Sequence, residues 1–240
     1  MGKKVVYLPS CHSTNDIARN LVKNANVIEG TLVITNDQTA GRGQIGNSWE
    51  SEPQKNLTFS LVLRPRFIRL DQQFQMTMCT SLGIVDYLNN IKQGFEVKWP
   101  NDIYFGTQKV AGILIQNLVN RGSVENSIIG VGLNVNQQEF SYSHAVSLSS
   151  ILGKELSLPA VLEELCQSIE RRYLQLKSGR AHRIKQDYLQ NLLGFNHERT
   201  FLGETHFRGV IIDVLDSGQL IVNQDNEQRA YNFKEIQFQF

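Results

Sequence analysis

The chain predicts an α+β fold: a mixed, mostly antiparallel sheet with helices packed on it, followed by a small β module. Three observations carry this reading. Runs of β-branched and aromatic residues at strand length recur along the chain. Between and after them lie long stretches with apolar residues at helical spacing. From about residue 195 the pattern changes to short β runs separated by Gly, Asp and Asn turns, a spacing that suits a small barrel. The expected division is therefore 1–194 and 195–240.

In chain order, "KKVVYLP" predicts a strand and "STNDIARNLVKN" an amphipathic helix, with Ser13 as candidate N-cap and Ile17, Ala18 and Leu21 on its apolar side. "GTLVITND" and "LTFSLVLRP" predict strands, the second stopped by Pro65. Between them runs a loop without apolar period. "LDQQFQMTMCTSLGIVDYLNNI" predicts the longest helix of the chain. "FEVKWPNDIYFGTQKVAGILIQNLV" reads as two or three strands, broken at Pro100-Asn101-Asp102 and Gly106-Thr107. "SIIGVGLNVN" predicts a strand whose glycines suggest a close approach to something. From Pro159 to about Leu193 two helices are expected, broken near Ser178-Gly179.

Bulk properties exclude several classes of function. The 240 residues carry a net charge of +1, which gives no electrostatic case for nucleic acid or an anionic membrane. No apolar run is long enough to span a bilayer, and "MGKKVVYLPSC" lacks a signal-peptide core. Cys11, Cys79 and Cys166 are odd in number and far apart, so they read as reduced thiols of a cytoplasmic protein. The five histidines form no metal-spaced cluster.

The chemistry concentrates in "TAGRGQIGNSW". Gly41 to Gly46 fit a dinucleotide fingerprint, and Gly41 to Ser48 fit a P-loop with Asn47 in place of the lysine. Both assignments need a helix after the glycines, and here another strand follows. What remains is a glycine loop whose backbone N–H groups can approach an anion, with Arg42 as cation and Trp49 as a flat stacking surface. "KWPNDIYF" adds Lys98, Asn101 and Asp102 at a turn, and Lys109 opens the apolar strand "KVAGILIQ". Arg42, Lys109, Asp102 and glycine backbone together suit nucleotidyl transfer, in which cations neutralise phosphoryl oxygens and a carboxylate can hold Mg²⁺.

These segments occur in an order that resembles the biotin protein ligases, or biotin–[acetyl-CoA-carboxylase] ligases. "STND", "QTAGRGQIGNSW", "KWPNDI", "KVAGILIQ" and "GVGLNVN" run from about residue 10 to 136, and the tail is similar to the family's SH3-like C-terminal module. The resemblance implies a two-step reaction. Biotin and ATP, with Mg²⁺, give biotinyl-5′-AMP and pyrophosphate; a lysine of a biotin carboxyl carrier protein, or the carrier domain of a carboxylase, then takes the biotinyl group.

It also implies roles for particular residues. Ser13, Thr14 and Asn15 would meet the ureido end of biotin, and Gln38 and Gln44 would contact biotin. Arg42, with the backbone of Gly41 and Gly43, would hold the biotin carboxylate and α-phosphate. Lys109 would bind the same anions, and Trp49 would stack beside adenine. Lys98, Asn101 and Asn134 would lie near the nucleotide, and Asp102 would orient the adenylate or Mg²⁺ and accept a proton from the incoming lysine. Gly112 and Gly132 would let strands pass close to the bicyclic ring.

One departure stands out. Gln44, Ile45 and Asn47 occupy positions where the family often has further arginines, so a looser hold on the adenylate is expected. The family also includes repressors with an N-terminal helix-turn-helix domain. This chain starts about ten residues before "STND", so a ligase that binds no nucleic acid is expected; a homodimer built edge to edge stays open. Two other readings remain: a lipoate or octanoate transferase on the same architecture, and a biotin-binding sensor acting through protein contact. The pairing of the glycine loop with "KWPND" speaks against the first, and the presence of Arg42 and Lys109 against the second.

Overall fold

A computed structural model describes residues 1–24, 27–44 and 46–240. Seven strands form the first sheet: β1 (Val5–Cys11), β2 (Thr31–Gln38), β3 (Leu57–Leu63), β4 (Phe95–Lys98), β5 (Asp102–Phe105), β6 (Gln108–Asn120) and β7 (Ser123–Leu133). Their spatial order is β1-β2-β3-β7-β6-β5-β4. The β1–β2 pair is parallel and every other pair antiparallel, because α1 (Thr14–Asn24) carries the chain back from the end of β1 to the start of β2.

One face of this sheet is covered over its central strands, while Val5 and Tyr7 of the edge strand β1 stay exposed. α2 (Gln75–Ile91) lies there against β4, β5 and β6, α4 (Leu158–Lys177) and α5 (Ala181–Gln190) pack on α2, and all three share one buried cluster with Phe59, Leu61, Ile113 and Val131. α2 is buried on almost all sides, as its apolar sequence demands. It lies so close to α4 that a Cβ on Gly83 would sit 2.6 Å from the Ile169 Cα. Arg172 of α4 ties the three helices together through Asp86 of α2 and Asp187 of α5.

The opposite face is only half covered. α1 sets Ala18 against Val33, Val62 and Ile128 and ends there. The rest of that face carries Thr58, Ser60, Leu114, Asp102, Lys98 and glycines, so the same sheet has an apolar half under a helix and an open half beside the helix N-terminus.

A second sheet follows in the place expected for the SH3-like module. It has strands β8 (Glu198–Leu202), β9 (His206–Val214), β10 (Leu220–Gln224), β11 (Glu227–Tyr231) and β12 (Gln237–Gln239), all antiparallel in the order β11-β10-β9-β8-β12. Its apolar side, with Phe201, Ile211 and Val222, belongs to the same buried cluster as the helices of the first sheet.

Two expectations need correction. The longest helix is α4, with 20 residues against 17 for α2. The stretch expected to open α2 is instead a separate 3₁₀ turn, Leu70–Gln72, because the Leu70 N–H bonds to Gly122 O and the Phe74 N–H to Asp216 O. A short helix, α3 (Leu148–Leu152), was not expected; Ser147 caps its start and Gly153, with φ of 71°, its end.

Candidate functional site

The open half of the first sheet becomes a site through its register. Thr58 of β3 pairs with Gly132 of β7, Gly132 with Gly112 of β6, Gly112 with Asp102 of β5, and Asp102 with Lys98 of β4. Directly paired residues point to the same face of a sheet. One row across five strands therefore presents a hydroxyl, two bare backbone positions, a carboxylate and an ammonium. Ser60, Gly130 and Leu114 form a neighbouring row on the same face.

Lys109 joins this face by a slip in the β6 alternation. Regular alternation would send Lys109 and Gly112 to opposite faces. The register shifts between Ile103 and Tyr104 of β5, which leaves Val110 of β6 unpaired with that strand. Val110 and Ala111 both enter the core, and Lys109 turns to the cavity. Its Nζ lies 2.7 Å from Asp102 Oδ1. The backbone of Lys109 is pinned on both sides, its N–H to His144 O at 2.6 Å and its carbonyl to the Val146 N–H at 2.9 Å.

The N-terminus of α1 closes one end of the cavity. Ser13, Thr14 and Asn15 are buried there. The Gln38 Oε1 accepts from the Thr14 N–H at 3.0 Å, and Asn15 donates to Leu114 O at 3.2 Å. The Ser60 hydroxyl lies 2.8 Å from Thr14 Oγ1 and 2.6 Å from Asn15 Oδ1. A Cβ on Gly130 would collide with that same Asn15 amide at 2.5 Å.

The glycine loop folds over the cavity as a narrow hairpin. Trp49 N–H bonds to Gly41 O, Gly43 N–H to Asn47 O, and Asn47 N–H to Gln44 O. The hairpin lays the Trp49 indole on the glycine floor: a Cβ on Gly132 would sit 2.2 Å from the ring and one on Gly112 3.1 Å from it. Lys109 Nζ stands 5.6 Å from the ring centroid, and the buried indole N–H has no partner among the described residues. With the indole there the remaining cavity is about 150 Å³, below the few hundred Å³ usual for small-molecule sites.

Most of the residues expected in the site line this cavity together: Ser13, Thr14, Asn15, Gln38, Arg42, Gly43, Gln44, Trp49, Lys98, Asn101, Asp102, Lys109, Gly112 and Gly132. Two do not. Gly41 lies behind the wall, where a Cβ would strike the Trp49 carbonyl at 2.3 Å. Asn134 is buried beneath the site, and its amide spans Lys109 O and Val146 O. Its place is set by bracing the strand of Lys109 rather than by facing the cavity. Ile45, expected among the neutral positions of the loop, lies outside the described residues.

Sequence reasoning missed Asp16, Gly130 and Ser60. Asp16 takes both outer nitrogens of Arg42, at 3.1 and 2.9 Å. Its signal was its place one residue after "STN" on a helix whose N-terminus faces a glycine loop. Gly130 was legible as the glycine two before Gly132. Ser60 had no signal, since nothing in "LTFSLVL" says which face lacks a helix.

The electrostatics follow from these pairs. Arg42 is bound to Asp16 and Lys109 to Asp102. Among the described residues Lys98 has no ion pair. Burial draws its pKa below the ordinary lysine value, with Asp102 opposing the shift and Lys109 adding to it. Among the described residues no three His, Cys, Asp or Glu side chains are grouped as a metal site.

Comparison with known proteins places this geometry. Residues 7–134 match the model of the biotin/lipoate A/B protein ligase family. The bifunctional ligase/repressor BirA of Bacillus subtilis is 32% identical over 231 residues, covering 92% of this chain and 70% of that protein. The biotin–[acetyl-CoA-carboxylase] ligase of Paracoccus denitrificans is 28% identical over 79% of this chain and 82% of its own length. The solved biotin protein ligase of Aquifex aeolicus in complex with biotin and ATP superposes with a TM-score of 0.80 at 27% identity, over 99% of both chains.

Proposed function

Because the chain belongs to the biotin/lipoate A/B protein ligase family, we propose that it is an ATP-dependent biotin ligase whose two half-reactions take place in the cavity of Arg42 and Lys109. In the first, a carboxylate oxygen of biotin attacks the α-phosphorus of ATP, and pyrophosphate leaves. In the second, the amine of a lysine on a biotin carrier domain attacks the acyl carbon, AMP leaves, and the amide nitrogen gives up a proton.

The observation that carries this reading is that Arg42 and Lys109 line one cavity with a floor of glycine. A carboxylate approaching a triphosphate meets repulsion, and two preplaced cations in a partly dry cavity lower it. Both cations are held by carboxylates, Arg42 by Asp16 and Lys109 by Asp102. An incoming carboxylate or phosphate takes the place of the protein carboxylate on each cation, so neither cation has to be ordered at the moment of reaction. The glycine floor admits a flat ring to backbone distance, and the Trp49 indole marks how close such a ring comes.

Asp102 is the one carboxylate among the cavity-lining residues. That suits Mg²⁺ arriving with ATP, since Mg²⁺ takes one or two protein carboxylates and completes its shell with phosphates and water. There the ion would neutralise phosphate charge. The hydrogen bonds of Gln38, Thr14 and Asn15 at the other end suit the polar head of biotin. The glycine hairpin has the form of a lid that excludes water from the acyl-adenylate and opens for the carrier domain.

Isotope exchange between ATP and pyrophosphate tests the reading, run separately with biotin, lipoate and octanoate. Exchange is expected with biotin alone. Exchange with lipoate or octanoate instead would assign the chain to the family's other branch, and exchange with none would leave a sensor. Lys109→Ala is expected to lower the biotin-dependent rate by at least about a hundredfold, the scale of losing one charge-stabilising group, with unchanged circular dichroism. Near-normal exchange would remove Lys109 from its role.

A further inference from the structure

The Lys98 ammonium is held by aromatic faces and, among the described residues, not by a carboxylate contact. Its Nζ lies 5.0 Å from the ring centroid of Tyr104, 5.5 Å from Phe238 and 5.9 Å from Phe240. Tyr104 belongs to β5 of the first sheet; Phe238 lies on β12 of the second and Phe240 just beyond it. The rings are themselves fixed. Phe240 stacks on Tyr104 at 5.7 Å, and Phe238 meets the buried Phe201 edge-on at 5.2 Å.

Ring faces carry negative potential, and a cation within about 6 Å of a centroid is attracted, more strongly once it has lost water. Lys98 also lines the cavity and stands directly across from Asp102, the carboxylate that holds Lys109. We infer that Phe238 and Phe240, with Tyr104, are positioning residues that form a three-ring cage for the Lys98 ammonium, and that through this cage the C-terminal module completes the nucleotide side of the cavity. The cage orients a cation without neutralising it. A carboxylate in the same place would cancel the charge that the phosphates meet, whereas the rings leave it whole. The lowered proton affinity of Lys98 fits a group so enclosed.

This inference rests on the proposed ligase reading, in which Lys98 faces ATP or the adenylate. Phe240 is the safer position to change, because it is more than half exposed and its loss opens no core. In biotin-dependent pyrophosphate exchange by the full chain, Phe240→Leu is expected to raise the KM for ATP about three- to tenfold, the scale of losing one ring from a partly desolvated cation. The KM for biotin should stay within about twofold. Phe240→Trp should restore the wild-type value. Di- and trifluorinated phenylalanine at position 238, which keeps shape while weakening the ring face, should raise the ATP KM stepwise.

Unchanged ATP KM in Phe240→Leu and in the fluorinated series would overturn the cage. So would equal rises in both KM values, which would indicate general loosening. A wild-type chain with no biotin-dependent exchange would overturn the ligase reading itself, and the cage as a part of it; active wild type with insensitive variants would overturn the cage alone.

Discussion

At the scale of single residues, the sharpest feature is that the one arginine of the glycine loop is already shared. Asp16 binds both outer nitrogens of Arg42 in a partly exposed pair. Such pairs are worth about 0.2–1 kcal/mol, so Asp16 competes for the guanidinium but does not lock it. A ligand held by Arg42 must win it from Asp16, and the loop offers little else, since Gln44 and Asn47 are neutral. We predict that Asp16→Asn slows release of biotinyl-AMP about two- to fivefold, the equivalent of that pair energy. Asn47→Arg should slow it too, by restoring a cation. Both effects are read from the dissociation of labelled adenylate. Faster release from Asp16→Asn would mean that Asp16 presents Arg42 to the ligand and does not compete for it.

At the scale of elements, the packing of α2 on α4 sets what the sheet can hold in place on its far side. Gly83 allows the two helices to touch, and a methyl there would press on the Ile169 backbone at 2.6 Å, which only a shift of a whole helix can relieve. Overpacking of this kind costs about 1–3 kcal/mol, so Gly83→Ala should lower the urea midpoint with an unchanged slope; a midpoint equal to wild type would show that the helices separate freely. Legibility also divides at this scale. β3, α1 and the break between α4 and α5 were readable because period and glycine speak locally. Val110 was not: "KVAGILIQ" looks like a regular alternating strand, and only pairing with β5 creates the bulge that brings Lys109 beside Asp102. The same limit hid Ser60 and Asp16, whose importance depends on which half of a sheet face is left uncovered. Motif residues were identified, while the partners that set their charge lay far away in sequence.

At the scale of the molecule, the two sheets share one buried apolar cluster and are not merely tethered. Trp99 lies at the turn between β4 and β5, directly beside Lys98 of the site. Its indole N–H donates to Gly218 O in the turn between β9 and β10 at 2.9 Å, and its ring meets Phe233, just after β11, at 5.4 Å. Phe74, just before α2, touches both Phe233 and Tyr188 of α5. One apolar cluster runs from the helices through Trp99 to Phe201, Ile211 and Val222 of the barrel-like module. A chain with a continuous core should unfold as a unit. Urea unfolding followed by far-ultraviolet circular dichroism and by tryptophan fluorescence is therefore expected to give coincident transitions. Trp99→Ala, which removes the bond to Gly218 and the ring contact, should lower both together by about 3–5 kcal/mol, the range for truncating a large buried aromatic to alanine. Two separate transitions in the wild type would show that the second sheet is an independent domain. Lys98 would then be caged by a neighbour free to leave, and the nucleotide side of the cavity would open and close with it.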